Sequence, residues 1–200
     1  MRMKHVLMIG QQVLYRIRDL HSLDFVHGDI KPLNLVFGRE KYKNVLNLID
    51  FGLTQKESSF PDNLYNSTIY EKENLMLRGT PNYASINLHL GWNKIFKKDD
   101  LESFFYLLIF LSKGRLPWAD LPKDGRDNYQ KILKAKIKAT TEDLCENLPD
   151  SFRKLHNYIT KLNLLDKIDY NFIEDLLREA ADQSGFKLQV NSQHFSLYNF

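Results

Sequence analysis

The stretch His27-Gly28-Asp29-Ile30-Lys31-Pro32-Leu33-Asn34, followed after two short apolar runs by Asp50-Phe51-Gly52, decides how this chain is read. Gly28 and Pro32 both interrupt regular structure, so the first stretch is a loop between ordered elements. Within six residues it holds a carboxylate (Asp29), an ammonium (Lys31) and a carboxamide (Asn34), and Asp50 supplies a second carboxylate. These are the groups that phosphoryl transfer from a nucleotide asks a protein to position. Asp29 suits the task of orienting an attacking hydroxyl and accepting its proton. Lys31 suits the neutralisation of the transferring phosphoryl group. Asn34 and Asp50 are hard oxygen donors of the kind magnesium takes from protein, the rest coming from phosphate and water.

Outward from that loop, apolar residues at Val6, Ile9, Val13, Ile17 and Leu20 recur at the three-to-four spacing of an amphipathic helix. Phe25-Val26 reads as a short extension. Leu35–Phe37 and Val45–Ile49 read as two strands around the polar loop Arg39–Asn44. Leu53–Asn82 is polar and aperiodic, and a loop of that length in a compact domain is functional or disordered, or else the assignment of elements is wrong. A helix is predicted over Asp100–Lys113, apolar nearly all round and so central, with Gly114 at its C-terminal cap. Further helices are predicted over Asn128–Ile137, from Thr140 or Thr141 to Cys145, around Phe152–Leu162 and around Phe172–Ala180, the last stopped by Gly185.

Composition narrows the class. Aromatic residues are 12% and charged residues 26% of the 200, a globular balance that excludes disorder and fibre. Twenty-eight Lys and Arg against 25 Asp and Glu leave +3, too weak an excess to suggest nucleic acid or an anionic membrane. The single cysteine, Cys145, excludes an intrachain disulfide framework and any multi-cysteine metal site. The longest apolar run is Phe104–Leu111, far short of the roughly 20 residues that span a bilayer. With no signal peptide legible at Met1, the expectation is a soluble intracellular protein of the cytoplasm or nucleus.

The chain resembles a eukaryotic protein kinase, and more closely the casein kinase 1 family. Beside HGDIKPLN and LIDFGLT, the resemblance rests on Arg78–Gly91 (RGTPNYASINLHLG), whose Ser85-Ile86-Asn87 stands where most kinases have an A-P-E-like triplet. Asp99–Ser103 (DDLES), Gly114–Trp118 (GRLPW) and Lys167–Tyr170 (KIDY) follow in that family's order. The resemblance implies ATP and magnesium, protein substrates with Ser or Thr, and a mainly α, protein-kinase-like C-terminal lobe with a small β-element at the catalytic loop. It implies a lobe over residues 1–186, with catalytic loop 27–34 and activation segment 50–87, then a tail over 187–200. It further implies that Thr80 contacts Asp29 and Lys31, and that Asp100 holds the catalytic-loop backbone. Val36 would floor the adenine site, while His27 and Phe51 would stack in the column joining two lobes and Gly52 would complete the DFG turn.

Three departures qualify the resemblance. Only 26 residues precede His27, and they are spent on one helix, so the glycine-rich loop, strand lysine and helix glutamate of the N-terminal lobe are expected to be absent from this chain. Such a chain is expected to be inactive alone, and to self-associate or take a partner over the uncovered face. Gly28 replaces the usual arginine, as in the vaccinia-related kinases and in aminoglycoside- and choline-kinase-type phosphotransferases; Lys31-Pro32 argues against that small-molecule alternative. The other alternative is a non-catalytic, pseudokinase-like interaction module. Finally, Asn82 and Asn128 stand where the family usually places basic residues that read phosphate on the substrate, with Arg126 compensating in part. The sequon Asn66-Ser67-Thr68 reads as polar loop, and Lys94, Lys97 and Lys98 read as a solvated face.

Overall fold

The computed structural model describes residues 1–57, 77–90, 94–122 and 126–188; the side chain of Arg126, the sequon at 66–68 and most of the 187–200 tail lie outside the described residues. The architecture is mainly helical. Helix α1 (Met3–Ser22) leads to strand β1 (Phe25–Val26), the loop over residues 27–34, and a hairpin of β2 (Leu35–Phe37) and β3 (Leu46–Leu48). Strand β4 (Gln55–Lys56) follows, then helices α2 (Ile86–His89), α3 (Lys97–Lys113), α4 (Arg126–Lys138), α5 (Thr141–Cys145), α6 (Asp150–Lys161) and α7 (Tyr170–Gln183).

Helix α3 is the axis. Leu101, Phe104, Phe105, Leu107, Leu108 and Ile109 are all 0% exposed, so the helix is surrounded rather than amphipathic. Helix α1 packs on it so closely that a Cβ at Gly10 would lie 2.7 Å from Leu108 Cδ2. Helices α6 and α7 close the other side through Phe152, Leu155, Ile173 and Leu176. Burial of these apolar side chains, at about 25 cal/mol per Å2, supplies the dominant stabilisation. Helix α3 begins at Lys97, ahead of the predicted Asp100, because the Phe96 amide donates to Asp99 Oδ2 at 2.8 Å and caps the first turn.

The β-element consists of two antiparallel pairs. β2 and β3 pair Leu35 with Leu48 and Phe37 with Leu46. β4 lies inside the stretch read as aperiodic loop, and it pairs with β1 through Phe25–Lys56 and Val26–Gln55. The solvated lysine face is also corrected. Lys97 Nζ bridges Asp24 at 3.0 Å and Glu57 at 2.9 Å, and Lys98 Nζ donates to the Leu162 carbonyl at 2.5 Å. Their ammonium groups tie loop to helix. Among the described residues no helix is long and apolar enough to cross a membrane.

Candidate active site

The loop over residues 27–34 is hung from α3. The Asp100 carboxylate, 0% exposed, accepts the His27 amide at 2.7 Å, the Gly28 amide at 2.8 Å and His21 Nε2 at 2.9 Å. His21 in turn meets the Tyr170 hydroxyl through Nδ1 at 2.5 Å, so α1, α3 and α7 all fix the same carboxylate. Buried charge is tolerable only when so satisfied.

The His27 ring joins the loop to the end of β3. Its Nδ1 accepts the Asp29 amide at 3.2 Å, and Nε2 lies 3.1 Å from the Ile49 carbonyl. Phe51 approaches edge-on rather than stacked, with ring centroids 5.3 Å apart and planes at 60°. Gly28 has φ +79°, a left-handed conformation, and a Cβ there would meet Ile95 Cδ1 at 2.9 Å.

Asp29 is buried at the centre. Its Oδ1 accepts the Thr80 amide at 3.0 Å and the Thr80 hydroxyl at 2.8 Å; its Oδ2 accepts Lys31 Nζ at 2.5 Å and Asn34 Nδ2 at 3.2 Å. Lys31 Nζ also donates to Thr80 Oγ1 at 2.9 Å, closing a triangle of Asp29, Lys31 and Thr80 from two segments 49 residues apart. Gly79 makes the approach feasible. It has φ +81°, and a Cβ would stand 2.9 Å from the Gly28 carbonyl oxygen. Four donors, one backbone amide and the side chains of Thr80, Asn34 and Lys31, leave the carboxylate little freedom to rotate.

Asn34 uses its amide nitrogen on the Asp29 backbone carbonyl at 2.9 Å as well, so Oδ1 is its atom of cation-binding chemistry. The Ile49 amide donates to the Asn34 carbonyl at 2.9 Å, which draws Asp50 to the same edge of the loop. Asp50 is exposed, has φ +65°, and accepts the Gly52 amide at 3.3 Å in a local turn. Two hard oxygen donors on facing segments fit magnesium arriving with a polyphosphate, which keeps most of its other ligands. Among the described residues there is no group of three or more His, Cys, Asp or Glu that could hold a metal ion. Val36 sits on the hairpin face at 39% exposure, beside Phe37 at 52%, with Leu33 at 83% and Phe51 at 53%.

Below Thr80 lies a second buried set that the sequence did not single out. Asp99 Oδ1 accepts the Ser85 hydroxyl at 2.7 Å and Asn87 Nδ2 at 3.1 Å, and burial pushes its carboxyl up to about 7. The Ile86 amide donates to Glu102 Oε1 at 2.9 Å. Ser85 and Asn87 of the S-I-N triplet are thus fastened to α3. The S-I-N triplet and the doubled acid Asp99-Asp100 were legible as motifs, but their bond to each other was not, and the acids read equally as helix N-terminal charge. A family model described as protein kinase domain matches residues 1–180, and the chain belongs to that family.

Proposed function

From that membership we propose that these residues form the catalytic lobe of a casein kinase 1-like serine/threonine protein kinase, whose reaction moves the γ-phosphate of ATP to a Ser or Thr hydroxyl of a protein. The observation that carries the reading is the triangle of Asp29, Lys31 and Thr80. The substrate hydroxyl oxygen forms a bond to the γ-phosphorus, the bond from that phosphorus to the bridging oxygen breaks, and ADP leaves. Asp29 orients the hydroxyl and takes its proton. Lys31 neutralises charge on the transferring group, a role favoured by the low dielectric beside a buried carboxylate. Thr80 fixes both and belongs to the segment on which a peptide would lie. Asn34 Oδ1 and the Asp50 carboxylate would hold magnesium, which supplies charge neutralisation on the phosphates. The S-I-N triplet, with its ties to Asp99, supports the casein kinase 1 assignment over other serine/threonine families.

The test is transfer of labelled γ-phosphate to a Ser/Thr peptide mixture, with the nucleotide-binding lobe of a casein kinase 1 family protein supplied in fusion. The unmutated chain is expected to transfer phosphate, and Asp29→Asn to lose it by at least roughly 100-fold, the scale of general-base catalysis. Near-unchanged turnover in Asp29→Asn would remove Asp29 from the role of base.

A further inference from the structure

A lysine on the helix behind the site has no part in the chemistry above, yet it is buried as deeply as the core. Lys136 of α4 is 3% exposed. Its Nζ donates to the Pro81 carbonyl at 2.9 Å and to the Ala84 carbonyl. The ammonium lies 4.6 Å from the centroid of the Tyr106 ring and 5.1 Å from that of Trp118. The Pro81 carbonyl also faces His89 Nε2 at 2.9 Å, and Trp118 Nε1 donates to the Asn82 carbonyl at 2.9 Å. Three side chains from α2, α4 and the loop after α3 therefore grip the backbone of residues 81–84 from beneath. That segment begins one residue after Thr80, which touches Asp29 and Lys31.

We propose that Lys136 is a positioning residue that sets the backbone of residues 81–84, and with it the bed on which a peptide substrate is laid against Asp29. The inference rests on the kinase reading for the word substrate alone; the contacts stand without it. Burial of an ammonium costs free energy unless it is satisfied, and here burial holds the amine well below the ordinary lysine range. A residue kept for packing would do better as methionine or leucine. What those residues cannot supply is hydrogen bonds to both the Pro81 and the Ala84 carbonyl. The Glu102 carboxylate works against that burial and favours the ammonium, and a charged donor grips such carbonyls more strongly than a neutral one. Lys136 borders a cavity of about 350 Å3 that also touches Glu102, His156 and Ile137, so side chains of altered shape can be accommodated there.

Amide hydrogen exchange tests this in the 200-residue chain without nucleotide or turnover. Tyr83 and Ala84 amides both donate to the Thr80 carbonyl, at 2.9 and 2.8 Å, and report on the segment directly. Lys136→Met is expected to speed exchange at those two amides roughly tenfold or more, the loss of a charged hydrogen bond, while amides of α1 and α3 hold their rates. Lys136→Arg, which keeps charge and donors, is expected to restore protection. Unchanged exchange at 83 and 84, or an equal rise throughout the core, would overturn the proposal. Should Lys136→Met fail to fold, the unmutated chain decides by nitrogen-15 spectroscopy. A slowly exchanging Lys136 ammonium with proton contacts to Ala84 supports the proposal, and one exchanging with water like a surface lysine overturns it. A chain with this behaviour that transferred no phosphate would sink the functional reading and leave this one standing.

Discussion

Asp100 and Asp50 are both aspartates within reach of the catalytic loop, and they belong to oppositely built regions. Asp100 is 0% exposed and accepts three donors from two segments. Asp50 is exposed, and the bond it accepts within the chain is a long local one from Gly52. The difference extends to their neighbours. Beneath the loop, His21, Asp99 and Lys136 are buried and hydrogen-bonded. Above it, Leu33, Val36, Phe37, Ile49 and Phe51 leave apolar surface open to solvent. The two sides differ in how they are satisfied: buried polar groups with partners on one, solvent-exposed apolar side chains on the other.

The largest effect should come from breaking the buried side at its anchor. Asp100→Ala strands the His27 and Gly28 amides and leaves His21 facing an empty acceptor site. Removing one partner of a buried, charged network costs about 3–5 kcal/mol. The urea midpoint should fall accordingly, and a loss under about 1 kcal/mol would show that the loop is held elsewhere. Asp50→Ala, on the open side, should move the midpoint little.

A somewhat smaller effect concerns pH. Burial lowers His89 to about 4 from 6.5, because the charged ring is disfavoured inside. The unfolded chain therefore binds this proton more readily than the fold between those values. The His89 contribution is fully present above pH 6.5 and is lost as pH falls through 4, on the order of 3 kcal/mol. Asp99, raised to about 7, acts with the opposite sign over an overlapping range. The contribution of His89 is isolated by comparing stability–pH curves of the unmutated chain and His89→Gln. The difference between them should shrink as pH falls from 6.5 to 4; parallel curves would contradict the buried, neutral ring.

What could be read from the sequence divides along the same line. The meeting of Asp29, Lys31 and Asn34 was legible because they lie within six residues on one loop, and α3 because its apolar residues leave no polar face. Gln55–Lys56 was not legible as a strand. Two residues carry no period, and their partner, Phe25–Val26, lies about 30 residues away. Lys136 was hidden for the opposite reason: on a helix reading RDNYQKILKAKIK it is one lysine among several, and only the fold brings Pro81, Tyr106 and Trp118 to it. Ser85 and Asn87 were visible as a triplet but not as ligands of Asp99, because nothing in their spacing encodes a bond to another helix.

The smallest effect concerns substrate choice in the lobe fusion. Asn82 and Asn128 bring no charge to where phosphate on a substrate would be read. The absence of one charged contact should hold the preference for a peptide with phosphoserine ahead of the target to a weak one, and Asn82→Arg should raise it by about tenfold. The readout is kcat/KM on matched primed and unprimed peptides. A strong preference unchanged by Asn82→Arg would place phosphate recognition on other residues.

The contrast between the buried, hydrogen-bonded side of the loop and the exposed hairpin is tested most directly, on the proposed kinase reading, by calorimetric titration of MgATP into the 200-residue chain alone. With Asp50 and Asn34 present but the hairpin face bare, binding should be weak, with Kd on the order of 1 mM or above, about 4 kcal/mol or less of binding free energy. Low-micromolar affinity would contradict the account, because it would mean that these residues by themselves enclose the nucleotide.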